Sequence, residues 1–427
     1  MDRQFSVSRR ILGFFVAGFV LFTLASVTYL GLSSKSPVLS IDPTVYLNEN
    51  DFLAIEATAQ QNARPNTYLN ADEIEAIKTK LSAGEEPWAT AYQRMITAAD
   101  QALLAGPYSV TDNGGPNDGH DYKTSLAYCG WSTVDGKEPD CRDGQINPAA
   151  DRQDYDQAIA LARHVSTLGL AYTFTQDSQY ADKAVSLIRA WCINADTRMT
   201  PAFTTQQSKI EISVSLPGLF YGADLLYSYP GWDSAEKAAF SDWTSQIAND
   251  AVRWSRQNNF ENWRVHFIAL TGSYLKDESL LSYAFGRYRE LIPIQMDRQG
   301  RLVEELDRTK SLSYSLYALD AIIQTAELAK HQGIDLYGYE SDRGVRLKQA
   351  LDYHAKFSAQ DPAERWPYEQ IEPLKVQPIE ASDSTAIYEM AYAHWPEPQY
   401  LDVIESWGRP MTERRVHWHI SLTHARR

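Results

Sequence analysis

From about residue 70 onward, apolar residues recur at i, i+3, i+4 and i+7, the repeat of a helix with one buried face. "ADEIEAIKTKL" and "WATAYQRMITAADQALL" open the series. Four pairs follow. "YDQAIALARHVSTLGLAYTFT" precedes "SQYADKAVSLIRAWCI", and "SKIEISVSLPGLFYGADLLYSY" precedes "SAEKAAFSDWTSQIANDAVRWSRQ". "RQNNFENWRVHFIAL" precedes "ESLLSYAFGRYRELIPIQM", and "SLSYSLYALDAIIQTAELAKHQG" precedes "GVRLKQALDYHAKFS". Short turns join long helices, and no run reads as a sheet core. The pattern predicts an all-α fold of consecutive antiparallel helix hairpins. Such hairpins suit an (α/α) toroid or incomplete barrel whose inner helices line a central cleft. An irregular bundle or a solenoid shares the same periodicity.

Three stretches interrupt the pattern. Ile11 to Leu32 is an almost unbroken apolar run after the basic stub "MDRQFSVSRR", and about 20 such residues span a bilayer. Arg3, Arg9 and Arg10 would hold the N-terminus in the cytoplasm, so the run predicts a transmembrane signal anchor, with a long cleavable signal as the alternative. Either way the rest of the chain is exported; in a Gram-negative bacterium it would work in the periplasm, at the face of the inner membrane if the anchor is kept. Residues 106–154 form a loop rich in Gly, Asp, Asn and Pro, of a length that is usually functional inside a compact domain. The end, "PMTERRVHWHISLTHARR", has no helical period and reads as an irregular basic tail. The expected organisation is a stub and membrane segment over 1–33, a linker and lead-in over 34–69, a helical domain over 70–410 and the tail over 411–427.

The net charge of −15 argues against a nucleic-acid partner, because such partners call for a basic face. It does not exclude an anionic substrate, since a few arginines in a cleft reverse the local field. The 25 Tyr and 11 Trp fill a helical core, or face sugar rings in a groove. Of the three cysteines, Cys129 and Cys141 flank one loop and make a disulfide candidate in an oxidising compartment. Their spacing matches no zinc pattern.

Three groups of residues can carry chemistry. In "RQNNFENWRVHFIAL", Asn258 and Glu261 resemble a capping box, whereas Asn259, Asn262 and His266, spaced i, i+3 and i+7, share one helix face. Amides with an imidazole can bind a carboxylate and move a proton; a satisfied core histidine fits the spacing as well. In "GRLVEELDRTKSLSYSLYALDA", Arg308 and Lys310 stand near Tyr314 and Tyr317. A neighbouring cation favours the phenolate, which suits a tyrosine for acid–base work, although core aromatics give the same pattern. In the long loop, His120, Tyr122, Lys123, Tyr128 and Trp131 mix cation, phenol and indole, as a carbohydrate or anion contact would.

The order of these segments resembles the alginate lyase family of polysaccharide lyases. The resemblance rests on "HDYKTSLAY", "RDGQINP", "LGLAYTFTQDSQYADKAVSLIRAW", "NNFENW" and "EELDRTKSLSYSLYAL", and spans roughly residues 70 to 360. It implies a toroid fold and cleavage of an anionic, uronate-containing polysaccharide by β-elimination. An amide and an arginine would quench the carboxylate so that the C5 proton can leave, a tyrosine would protonate the departing oxygen, and no cofactor would be needed. Matched to the family, Asn259 is the amide, Arg308 the arginine and Tyr314 the tyrosine; His120, Tyr122, Lys123, Trp131, Asn262, Lys310 and Tyr317 are candidates for substrate binding. The family keeps a histidine after the asparagine, where this chain has Phe260. Either His266 supplies the imidazole, or Tyr314 is both base and acid. Two other readings stay open: a glycoside hydrolase using carboxylates among Glu304, Glu305 and Asp307, and a carbohydrate-binding relative without activity.

Overall fold

The computed structural model describes residues 49–61, 63–125, 147, 149–368, 384–413 and 415–426. In chain order the helices are α1 (Glu49–Gln61), α2 (Ala71–Ser82), α3 (Trp88–Ala102), α4 (Gln153–Thr175), α5 (Ser178–Ile188), α6 (Gln206–Ser215), α7 (Pro217–Leu225) and α8 (Ser234–Val252). There follow α9 (Asn259–Leu275), α10 (Glu278–Gln295), α11 (Ser311–His331), α12 (Leu347–Ser358), α13 (Ile387–His394), α14 (Pro398–Trp407) and the single turn α15 (Ile420–Thr423). Among the described residues there is no strand, only two isolated bridges, Asn66 with Asn70 and Met296 with Leu302.

The helices divide by how much of their circumference is apolar. α5 is two-faced: it buries Tyr180, Ala181, Ala184, Val185, Leu187 and Ile188 and exposes Asp182 and Ser186. α7 is buried along its whole length, and α9 everywhere except Phe260 and Leu275. A helix apolar on one stripe lies outside and one covered all round lies inside. α9 packs against α6, α8, α10 and α11, and α4 packs against α3, α5 and α7. This is the double layer expected of a toroid.

Two local features depart from the periodic reading. The stretch "SKIEISVSLPGLFYGADLLYSY" is two helices, broken at Leu216 because Pro217 lacks the N–H that would continue α6. A Cβ at Gly222 would lie 2.4 Å from the Val165 carbonyl oxygen, so glycine there lets α7 approach α4.

The lead-in is not a bare linker. It contains α1, and Asp224 ties its continuation down, pairing with Arg64 at 2.6 Å and accepting the Asn66 and Thr67 N–H groups at 2.6 and 2.9 Å. The C-terminal segment also corrects the sequence reading. Its backbone is irregular apart from α15, as read, but it is no tail: it buries Met411, Val416, Ile420, Leu422 and Ala425 in the core. His417 Nε2 meets Asp320 Oδ1 at 2.7 Å, and Arg409 and Ser421 both bond Glu389. Such a segment needs no helical period, because its polar groups are satisfied by the helices around it.

No helix among the described residues is long and apolar enough to cross a membrane. The Ile11–Leu32 run lies outside the described residues, as do Cys129, Cys141, Tyr128 and Trp131. Cys192 is a buried free cysteine whose thiol is pushed up by burial.

Candidate active site

A cleft of about 480 Å³ opens over the first turn of α9, within the size range of small-ligand sites. Its walls come from four places: Arg152 and Tyr155 at the start of α4; Gln206, Gln207, Ile210, Glu211 and Val214 on α6; Arg256 with Asn258–Phe260 at the head of α9; and Arg308 with Tyr314 and Tyr317 at the head of α11.

Asn258 caps α9: its Oδ1 accepts from the Phe260 N–H at 3.2 Å. The capping box read from Asn258 and Glu261 does not form, because Glu261 is committed elsewhere. Fully buried, it accepts from Arg264 Nε at 2.9 Å and Nη2 at 2.6 Å, from Arg287 Nε at 2.8 Å and from the Arg256 N–H at 2.7 Å. These cations hold its carboxyl below the usual carboxylate range against the opposing effect of burial. The chain entering α9 is thereby fixed, and with it Asn259, whose N–H and Nδ2 both donate to Glu305 Oε1, at 2.8 and 2.9 Å.

Before the head of α11, the Arg308 guanidinium lies 3.8 Å from the centre of the Tyr314 ring, a cation–π stack. Arg152 stacks on Tyr155 at 4.3 Å, and Arg415 from the C-terminal segment stands 4.8 Å from the Tyr317 ring. Glu211 is the single carboxylate among the described lining residues. Burial raises its pKa, opposed by hydrogen bonds from Thr124 and Gln207 and by the charge of Arg152. Three guanidiniums, two amides near α9 and three phenols therefore face one carboxyl group. Within a chain of net charge −15, that cleft is built for an anion.

The alginate lyase family profile matches residues 69–365. The chain belongs to the alginate lyase family. It is a polysaccharide lyase. An alginate lyase from Bacteroides ovatus superposes with a TM-score of 0.69 at 22% identity, covering 84% of this chain and 99% of that one. Alginate lyase A1-III from Sphingomonas species A1 superposes with a TM-score of 0.58 at 20% identity, covering 88% and 99%. A histidine-to-alanine variant of A1-III, solved with a tetrasaccharide, gives 0.60 at 19% identity, covering 89% and 99%. No curated protein sequence matches.

In this lyase, Asn259, Arg308, Tyr314 and Tyr317 line the same cleft. Other candidates lie elsewhere. His266 is fully buried; its Nε2 is 3.1 Å from the Tyr221 hydroxyl, and burial pushes its pKa down to about 3. Asn262 also points inward, giving Nδ2 to Gln295 Oε1 at 2.7 Å. The shared face was read correctly as a stripe. Because α9 is enclosed, however, the stripe runs from the cleft into the core, and only Asn259 reaches the cleft. Tyr122 is buried behind the wall with its hydroxyl 3.3 Å from Glu211, and desolvation raises its pKa. His120 bonds the Arg198 carbonyl, and Lys123 the Asn113 carbonyl and Asp151, so both organise the long loop. Lys310 is exposed at the cap of α11 and does not line the cleft.

Sequence reasoning missed Arg152, Tyr155, Gln207, Glu211 and Arg256, for which only Arg152, at the junction of the long loop and α4, gave a local hint. Glu73, Glu327 and His331 come close enough together to hold a metal. There the Lys330 ammonium already stands 3.0 Å from Glu73 and 2.6 Å from Glu327, serving as their cation.

Proposed function

We propose that the lyase cleaves a polyuronate by β-elimination in this cleft, with Tyr314 as both base and acid. The observation that carries the reading is the convergence of Asn259, Arg308 and Tyr314 on one cleft whose described lining holds no histidine. The uronate carboxylate docks against Asn259 and Arg308, whose donors and charge stabilise the negative charge that develops as C5 loses its proton. Tyr314, as phenolate, takes that proton. The C5 electron pair forms the C4–C5 double bond, the C4–O bond breaks, and the phenol returns the proton to the departing oxygen. The guanidinium on the ring face stabilises the phenolate this cycle needs. Arg152 and Arg256 are placed to hold carboxylates of flanking sugars.

One oxygen that removes H5 and protonates O4 must meet both on the same face of the ring. That geometry belongs to D-mannuronate and D-glucuronate residues; L-guluronate and D-galacturonate present H5 and O4 on opposite faces. Hydrolysis fits less well, because it calls for two carboxylates flanking the bond, and Glu211 alone lines the described cleft.

Purified protein incubated with mannuronan, glucuronan, guluronan and polygalacturonate, followed by ultraviolet absorbance of the unsaturated product and by reducing-end release, tests the reading. Absorbance rising on the first two polymers is expected. Reducing ends without absorbance on any polymer refute elimination, and preferential cleavage of guluronan refutes the single-oxygen mechanism. The Ile11–Leu32 run places this activity outside the cytoplasm in our reading, which cell fractionation decides.

A further inference from the structure

Glu305 does not line the cleft, and no step above uses it. It is 1% exposed, yet it contacts both Asn259 and Arg308, the two groups proposed to meet the substrate carboxylate. Its Oε1 accepts two hydrogen bonds from Asn259, one from the main chain at 2.8 Å and one from the side-chain amide at 2.9 Å. Its Oε2 faces Arg308 Nη1 at 3.4 Å. The terminal torsion of an asparagine is broad, so a free amide would sample orientations that exchange donor for acceptor. Tying Nδ2 to Glu305 removes that freedom and settles which way Oδ1 and the second N–H point.

A carboxylate buried behind a site for another carboxylate is costly, and burial raises its pKa. The N-terminus of α9 and the Arg308 cation offset part of that cost. A neutral acceptor would receive the Asn259 N–H as well without the charge. The common factor in the contacts of Glu305 is geometric: it joins the head of α9 to the segment before α11, fixing amide and guanidinium relative to each other.

We propose that Glu305 is a positioning residue for the elimination, a brace that sets Asn259 and Arg308 at the spacing a uronate carboxylate requires. The proposal rests on the elimination reading above. It predicts a contrast between two conservative variants. Glu305→Gln keeps an oxygen for the two Asn259 N–H groups but turns an amide N–H towards Arg308 Nη1, so it keeps the Asn259 arm of the brace and loses the Arg308 arm. Glu305→Asp keeps the charge but withdraws it by one methylene, a displacement of about 1 Å, for which a loss of about 100-fold in kcat is expected with KM changed far less.

The experiment measures kcat and KM of wild type, Glu305→Gln and Glu305→Asp on the preferred polyuronate, with circular dichroism confirming the fold of each. Expected is a graded loss of kcat, partial in the Gln variant, which keeps the Asn259 arm, and larger in the Asp variant, which withdraws both arms. Either variant turning over as fast as wild type, or a loss that falls on KM rather than kcat, overturns the proposal. A wild type inactive on every polyuronate refutes the elimination reading itself, which keeps the two failures apart.

Discussion

Removing one oxygen, by Tyr314→Phe, tests the proposed chemistry most directly. The ring stays, so the Arg308 guanidinium keeps its face at 3.8 Å and the packing at the head of α11 is undisturbed. The carboxylate contacts at Asn259 and Arg308 stay too, so KM should hold. Positioned proton transfer contributes about 10²–10⁴ in rate, or about 3–5.5 kcal/mol at 1.36 kcal/mol per decade. Here one oxygen carries both transfers and no described lining residue is a histidine that could take over either. The loss in kcat is therefore expected at the top of that range, about 10⁴-fold. Initial rates from product absorbance give kcat and KM, and calorimetric binding of an oligouronate gives affinity independently. A Phe variant that binds as wild type and turns over at a comparable rate would falsify the role of Tyr314. One that fails to bind would mean that the hydroxyl anchors substrate rather than moving protons.

Three further outcomes are expected. Arg308→Ala removes both the charge facing the carboxylate and the cation on Tyr314, and should lower kcat/KM by about 10²–10³-fold, as loss of a preorganised charge-stabilising donor does; steady-state kinetics that leave kcat/KM unchanged would refute it. Glu261→Ala leaves the Arg264 guanidinium buried without its partner and should destabilise the fold by about 3–5 kcal/mol, visible as a lower urea midpoint; an unchanged midpoint would show that Glu261 does not hold the head of α9. Burial depresses the pKa of His266 and His424 to about 3 and of His354 to about 4, below the unfolded value near 6.5. Their stabilising contribution is therefore present above about pH 6.5 and lost as pH falls towards 4 and 3, with a slope of about 1.4 kcal/mol per pH unit for each proton taken up on unfolding. His354→Leu should flatten the acid side of the urea-stability profile by about one proton; a profile parallel to wild type would contradict the neutral, buried imidazole.

The hairpins were legible because each helix carries its own period, and outer helices such as α5 announce their buried face within a few residues. Asn259, Arg308 and Tyr314 were legible because each stands at the head of a helix within a recognisable local pattern. His266 and Asn262 misled for a physical reason: a polar stripe on an enclosed helix satisfies its groups inside, against Tyr221 and Gln295, and spacing does not tell the core from a cleft. Arg152, Glu211 and Arg256 were illegible because they reach the site from separate elements, which only the folded chain brings together. The segment after residue 410 looked irregular because its order comes from outside it, from Asp320 and Glu389.

Phe260 is one residue along from Asn259, partly exposed on a helix otherwise enclosed almost throughout. The neighbours that start α9 bond through Asn258, Asn259 and Glu261, while the Phe260 side chain lends nothing to that scaffold except apolar contact. This makes position 260 a socket whose side chain can be exchanged without rebuilding the frame. A Phe260→His replacement would set an imidazole in the cleft that Tyr314 also lines. The chemistry available to the cleft can then be altered at one position where the hydrogen bonds that start α9 exert little restraint.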